Sequence, residues 1–198
     1  MTPTTPDAKK AKRRQPLKAT PEALERAALR YLERYDSATG HLRRLLRRKV
    51  ALSARVHGTD PEEGRAAVER VIARLTGLGL LDDARYARAR VRSLLARGSA
   101  AAMIRARLRD KAVPPALIDA ALAEETADDG SGELRAALRY ARRRRLGPFR
   151  PESRPGDRAE RRERDLAALG RQGFDFETAR RVIDCDDPAA LEAEIAAT

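Results

Sequence analysis

The chain has 198 residues, a formal net charge of +12, 42% hydrophobic residues and only 4% aromatics. That length suits one or two domains or a short repeat array, and no window approaches the roughly 18 consecutive apolar residues of a membrane span. The first residues lack the hydrophobic core of a secretory leader, and the single cysteine, Cys185, leaves no internal disulfide, so a cytoplasmic protein is expected.

Residues 1–19 (MTPTTPDAKKAKRRQPLKA) carry six Lys/Arg against one Asp and lack apolar periodicity, which predicts a disordered basic arm. Thr20-Pro21-Glu22 then starts a helix, with a capping hydroxyl and Pro at the first helical position. Leu24, Ala28, Tyr31, Leu32 and Tyr35 share one face of it. Ser37 is expected to cap a second helix with Leu42, Leu45, Leu46 and Val50 inward. Arg43 and Arg47, like Arg44 and Arg48, are four apart and form basic stripes on that helix. Residues 51–61 read as a loop, followed by a third helix with Val68, Val71, Ile72, Leu75 and Leu78 inward.

Asp82 or Asp83 can cap the next helix, about Asp83 to Ala96, whose inner face is Ala84, Ala87, Val91, Leu94 and Leu95. Gly98 breaks it. Ser99 is expected to cap a helix from about Ala100 to Lys111, with Ile104 and Leu108 inward, and Pro114-Pro115 stops it. Leu117, Ile118, Ala121 and Leu122 mark another helix before a linker at 128–132. Leu134, Ala137, Leu138 and Ala141 open a last set, followed by Arg142 to Arg145 and a Pro/Arg loop over 148–157. A helix with Leu166 and Leu169, a turn at Gly173-Phe174 and a helix with Ala179, Val182 and Ile183 complete it. The acidic tail from Asp184 has room for a short helix around Leu191 and Ile195.

The pattern repeats. Leu29-Arg30-Tyr31, Ala84-Arg85-Tyr86 and Leu138-Arg139-Tyr140 recur at spacings of 55 and 54, Ser37 and Ser99 are 62 apart, and Leu108/Leu169, Val113/Phe174 and Leu122/Ile183 are each 61 apart. Unequal spacings point to divergent copies with varied loops. Three short helices bury little alone, so each unit needs a neighbour to cover its apolar face. The fold class expected is therefore all-α: tandem three-helix repeats over 20–80, 81–127 and 128–185 in an elongated, curved modular array, with an acidic tail over 186–198. The repeated Tyr is expected in the core with its hydroxyl at the edge, rather than as a base-stacking platform.

Chemistry-bearing motifs are sparse. His41 and His57 have no motif around them. Cys185 sits between Asp184 and Asp186, whose charges disfavour a thiolate. Neither Asp184/Asp186/Asp187 nor Asp82/Asp83 has the loop spacing of a calcium site. Gly77 and Gly79 lack the third glycine of a dinucleotide fingerprint, and no GxxxxGK[ST] is present. A non-enzymatic protein without cofactor or metal is expected. Residues 142–164 carry ten Arg against four acidic residues. With the N-terminal arm, this segment holds nearly all the excess charge and favours a polyanionic partner, although a solvated cationic surface gives the same pattern.

Leu80-Leu81-Asp82-Asp83-Ala84-Arg85-Tyr86-Ala87, its continuation through Gly98, and Ile104-Arg105-Ala106-Arg107-Leu108-Arg109-Asp110-Lys111 resemble the RecX family of bacterial recombinase regulators. Ala28 to Leu32 is similar to that family's opening helix and Leu169 to Ile183 to its last unit, so the resemblance spans roughly residues 20–185. The family usually has Gly after the Lys near the end of each second helix; here Val50 follows Lys49 and Ala112 follows Lys111. The third unit also carries an expanded Arg/Pro insertion.

The resemblance implies a modular helical protein that binds RecA, usually as its filament on single-stranded DNA, along the filament groove. It implies inhibition of ATP hydrolysis, strand exchange and coprotease activation in DNA repair and recombination. A monomer is expected, with no membrane association and with direct single- or double-stranded DNA contact open. Charge spacing places the candidate contacts at Arg43, Arg47, Arg105, Arg109, Arg142, Arg143, Arg144 and Arg145. The alternative reading is a sequence-independent nucleic-acid-binding helical protein.

Overall fold

Several helices start at a capping residue or a proline. The protein, a computed structural model describing residues 16–126, 132–151 and 157–197, contains ten α-helices and no strand among the described residues. Residues 1–15 of the basic arm, 128–131 of the expected linker and 152–156 of the Pro/Arg loop lie outside them. The first three helices are α1 (Pro21–Leu32), α2 (Thr39–His57) and α3 (Pro61–Gly77). The next three are α4 (Asp83–Ala96), α5 (Ala101–Asp110) and α6 (Pro115–Thr126). Then come α7 (Gly132–Arg144), a 3-10 turn (Gly147–Phe149), α8 (Asp157–Arg171), α9 (Phe176–Ile183) and α10 (Pro188–Ala197). Helices α1–α3 pack on one another, as do α4–α6, and α7, α8 and α9 form a third group.

The caps follow the sequence in part. Thr20 accepts the Ala23 N–H ahead of Pro21, and Asp82 accepts the Arg85 N–H at the start of α4. Ser37 and Ser99 do not cap: α2 and α5 begin after Ala38 and Ala100, neither of which offers a side-chain acceptor. Both serines are instead buried.

Helices α3, α4, α5, α7 and α8 end in the same turn. A residue with positive φ follows the helix, and the next N–H reaches back five residues: Leu80 to Leu75, Ser99 to Leu94, Val113 to Leu108, Leu146 to Ala141, Phe174 to Leu169. The positive-φ residue is glycine at 79, 98 and 173, but Ala112 (φ 57°) and Arg145 (φ 54°) at the other two.

Four expectations are corrected. Residues 51–57 are not loop, because α2 continues to His57 and turns only at Gly58, φ 65°. Val50 is a buried core position within that helix, so no turn exists there for a glycine to serve. Tyr35 lies beyond the end of α1 and is 57% exposed, and Leu78, just past α3, is 63% exposed. The short helix expected around Leu191 and Ile195 is present as α10, which packs on α7 and buries both residues.

Two apolar clusters result. One lies within the first group, from Leu24 to Leu81. The other runs through α4 to α10, from Tyr86 to Ile195, and takes from the first group only Ala38. Each fully buried Leu or Ile in these clusters contributes roughly 1.5–3 kcal/mol.

Candidate interaction surface

Consecutive groups meet through one repeated contact. The start of a second helix leaves backbone N–H groups without intrahelical partners, and the next group supplies the acceptor. Asp83 of α4 accepts the Thr39 N–H of α2 at 2.7 Å. Glu133 of α7 accepts the Ala101 N–H of α5 at 3.1 Å. Burial, opposed by that hydrogen bond, holds the Glu133 carboxyl above its ordinary value. The first turn of the second helix also lies against the end turn of the following group. A Cβ on Gly40 would sit 2.6 Å from the Ala112 methyl carbon, and a Cβ on Gly173 would sit 3.2 Å from the Ala102 Cβ. One partner is glycine in each pair, but on opposite sides.

The candidate arginines divide into paired and free. Arg43 and Arg47 both bind Glu69 of α3, at 3.0 and 2.8 Å. Burial raises the Glu69 pKa, but the hydrogen bonds from Arg47 and Arg43 outweigh it and hold the carboxyl below its ordinary value. This stripe is largely spent within its own group. Arg105 binds Asp119 of α6 at 2.8 Å. Arg142 binds Glu192 of α10 at 2.8 Å and stacks over Phe149. Arg143 lies over the Tyr140 ring and donates to the Arg97 carbonyl. Arg109, Arg144 and Arg145 are exposed, with no side-chain partner among the described residues. The eight candidates therefore do not form one patch of free charge.

Spacing alone misses a second set. Arg44 crosses the first junction to donate to the Asp110 carbonyl. Tyr86, Arg90, Arg107 and Lys111 line a cleft of about 400 Å³ beside it. Lys111 also bears on His41 across the same junction, and Arg48 does so from within α2. The readable signal was Arg44 and Arg48 on one stripe; the partner row on α5 becomes visible only when Gly40 meets Ala112. Burial pushes the Cys185 thiol up, consistent with an unreactive side chain. No cluster of three or more His, Cys, Asp or Glu placed to hold a metal occurs among the described residues. None of their helices is long and apolar enough to cross a membrane.

Successive helical groups, each capping and docking on its predecessor, define a tandem helical-repeat protein. The family model for the second three-helix domain of RecX matches residues 82–122, which include α4, α5 and most of α6. A relative named regulatory protein RecX from Myxococcus xanthus is 43% identical over 180 residues, covering 90% of this chain and 94% of its own length. Regulatory protein RecX of Halorhodospira halophila is 35% identical over 82% of this chain and 87% of its own. That of Trichlorobacter lovleyi is 34% identical over 80% and 92%. The chain belongs to the RecX family of regulatory proteins.

Proposed function

We propose that this protein regulates the RecA recombinase, mainly as an inhibitor, by lying along the groove of the RecA filament on single-stranded DNA. The observation that carries this reading is the match to regulatory proteins named RecX over nearly the whole chain. The architecture supports it. A row of docked groups, divided at about 80/81 and 127/128, offers repeated surfaces to a repeating polymer. Binding across neighbouring subunits would block ATP hydrolysis, strand exchange and coprotease activation without any catalysis by this chain. Preference for one filament state over another is sufficient. The protein acts as a cytoplasmic monomer without cofactor. Its contacts come chiefly from the unpaired cations Arg109, Arg144 and Arg145.

Adding the protein to cognate recombinase hydrolysing ATP on single-stranded DNA should lower the rate in proportion to the amount bound. An unchanged rate, with no protein on the filament, would refute the reading. The second reading, sequence-independent nucleic-acid binding, is favoured by the cations gathered at the first junction. About six phosphate contacts would cost roughly a thousandfold in affinity between 50 and 200 mM salt.

A further inference from the structure

The chain has few aromatic residues, yet three of its four tyrosines gather where the first and second groups meet. Tyr35 lies against Tyr31, ring centroids 5.2 Å apart, and Tyr31 lies 6.2 Å from the His41 ring. Tyr86 forms the wall of the adjoining cleft. Tyr35 is 57% exposed, so the ledge presents an open face. At its His41 end, burial first, then the charges of Lys111, Arg44 and Arg48, keep the imidazole below its ordinary value.

The cations around this ledge come from two rows. Arg44 and Arg48 follow one stripe of α2, and Arg107 and Lys111 follow one stripe at the end of α5. Arg48, Arg107 and Lys111 have no side-chain partner among the described residues. Two carboxylates face them, Asp110 in the cleft and Asp36 near Tyr86. Positive charge therefore exceeds negative here. The exposed Tyr35 ring, with two half-buried rings tilted behind it and unpaired cations beside it, suits a chain that alternates flat bases with phosphates. A duplex, with its bases already stacked, cannot use the ledge.

We propose that the junction between the first and second groups is a binding site for a short run of single-stranded nucleic acid. A base stacks on Tyr35 and extends the Tyr31–His41 ledge, while the flanking phosphates meet Arg48, Arg107 and Lys111. The site rests on the nucleic-acid-binding reading, which it makes specific, and is independent of the filament reading, because it requires no recombinase.

Fluorescence anisotropy of the full chain with a labelled oligothymidylate of about 15 nucleotides tests it. Tyr35→Ala should weaken binding roughly tenfold, and Tyr35→Phe, which keeps the ring, should restore it. Arg48→Glu with Lys111→Glu should abolish most binding and lower the salt slope by about two. Arg171→Glu, on the remote end of α8, should leave affinity unchanged. Absence of binding by the native chain at low salt overturns the proposal. So does equal affinity of the Tyr35→Ala and native chains, or an Arg171→Glu loss matching that of the junction variant. If Tyr35→Ala melts early, the Tyr35→Phe affinity and the charge-reversal pair still decide, since both keep every buried residue.

Discussion

The two junctions between consecutive helical groups share a design and differ in what lies beside it. In both, a carboxylate from the following group caps the second helix of the preceding one, Asp83 on Thr39 and Glu133 on Ala101. In both, two small residues let backbone approach backbone, Gly40 with Ala112 and Ala102 with Gly173. The second junction adds helix packing, because α7 lies on α4 and α6 and one apolar cluster runs across it. The first junction adds rings and cations, and its apolar crossings are Ala38, buried in the second cluster, and Leu81, buried in the first. The comparison teaches that the array is two bodies. Helices α1–α3 form one and α4–α10 the other, joined at a polar seam. The second junction is sealed by apolar packing; the first is held by a cap, one close approach of small residues, and polar groups.

The largest test of this contrast is Gly98→Ala. Its Cβ would lie 2.6 Å from the Tyr140 amide nitrogen and 2.7 Å from the Ala136 carbonyl oxygen, at φ 70°. Overpacking and left-handed backbone together should cost about 3 kcal/mol. Hydrogen exchange should quicken through α4–α9 while α1–α3 stay protected.

At the other junction, Gly40→Ala would place a Cβ 2.6 Å from the Ala112 methyl carbon and 2.7 Å from its carbonyl oxygen. A cost of about 2 kcal/mol is expected, confined to the seam, with faster exchange at the Thr39 amide and both cores intact. Asp83→Ala should cost about 1 kcal/mol and free the same amide, whereas Asp83→Asn, which keeps an acceptor oxygen, should recover most of it in urea melts.

Ala112→Gly works in the opposite direction. Alanine at φ 57° is strained, and glycine there should raise stability by roughly 0.5–1 kcal/mol in the same melts.

The smallest expected effect is one of pH. The folded chain keeps His41 below its ordinary value, through burial and then Lys111, Arg44 and Arg48, against Asp110. Folded protein therefore binds fewer protons than unfolded protein. The stability from neutral His41 is complete above about pH 6.5 and is lost as pH falls through the lowered value. Thr39 exchange should accelerate on mild acidification, and His41→Gln should flatten that slope. The second junction has no histidine; Glu133, held above its ordinary value there by burial, should give the opposite slope, with stability rising as pH falls through the raised value.

Much of the fold was legible because its signals are local. The 61-residue offset between Leu108/Leu169 and Leu122/Ile183 aligns α5 with α8 and α6 with α9 in the structure. Pro21, Asp82 and Gly98 mark true helix ends. The expected loop over 51–61 missed the end of α2, although residues 51–57 contain neither Gly nor Pro and the first breaker is Gly58. The junction caps were not legible, since Asp83 and Glu133 serve amides 44 and 32 residues away. The state of the arginines was equally hidden. Arg43 and Arg105 look alike as helical surface charges, yet each meets a carboxylate on a neighbouring helix, and nothing in spacing separates them from Arg109. Tyr35 was misplaced because the apolar period was followed one turn past the point where α1 stops, at Leu32.

Co-sedimentation of the full chain with cognate RecA filaments on single-stranded DNA tests the regulatory account most directly. The account requires the protein to pellet with the filament and to saturate at fewer chains than recombinase subunits, because two joined bodies span more than one. Protein left in the supernatant at every concentration that sediments the filament would contradict it.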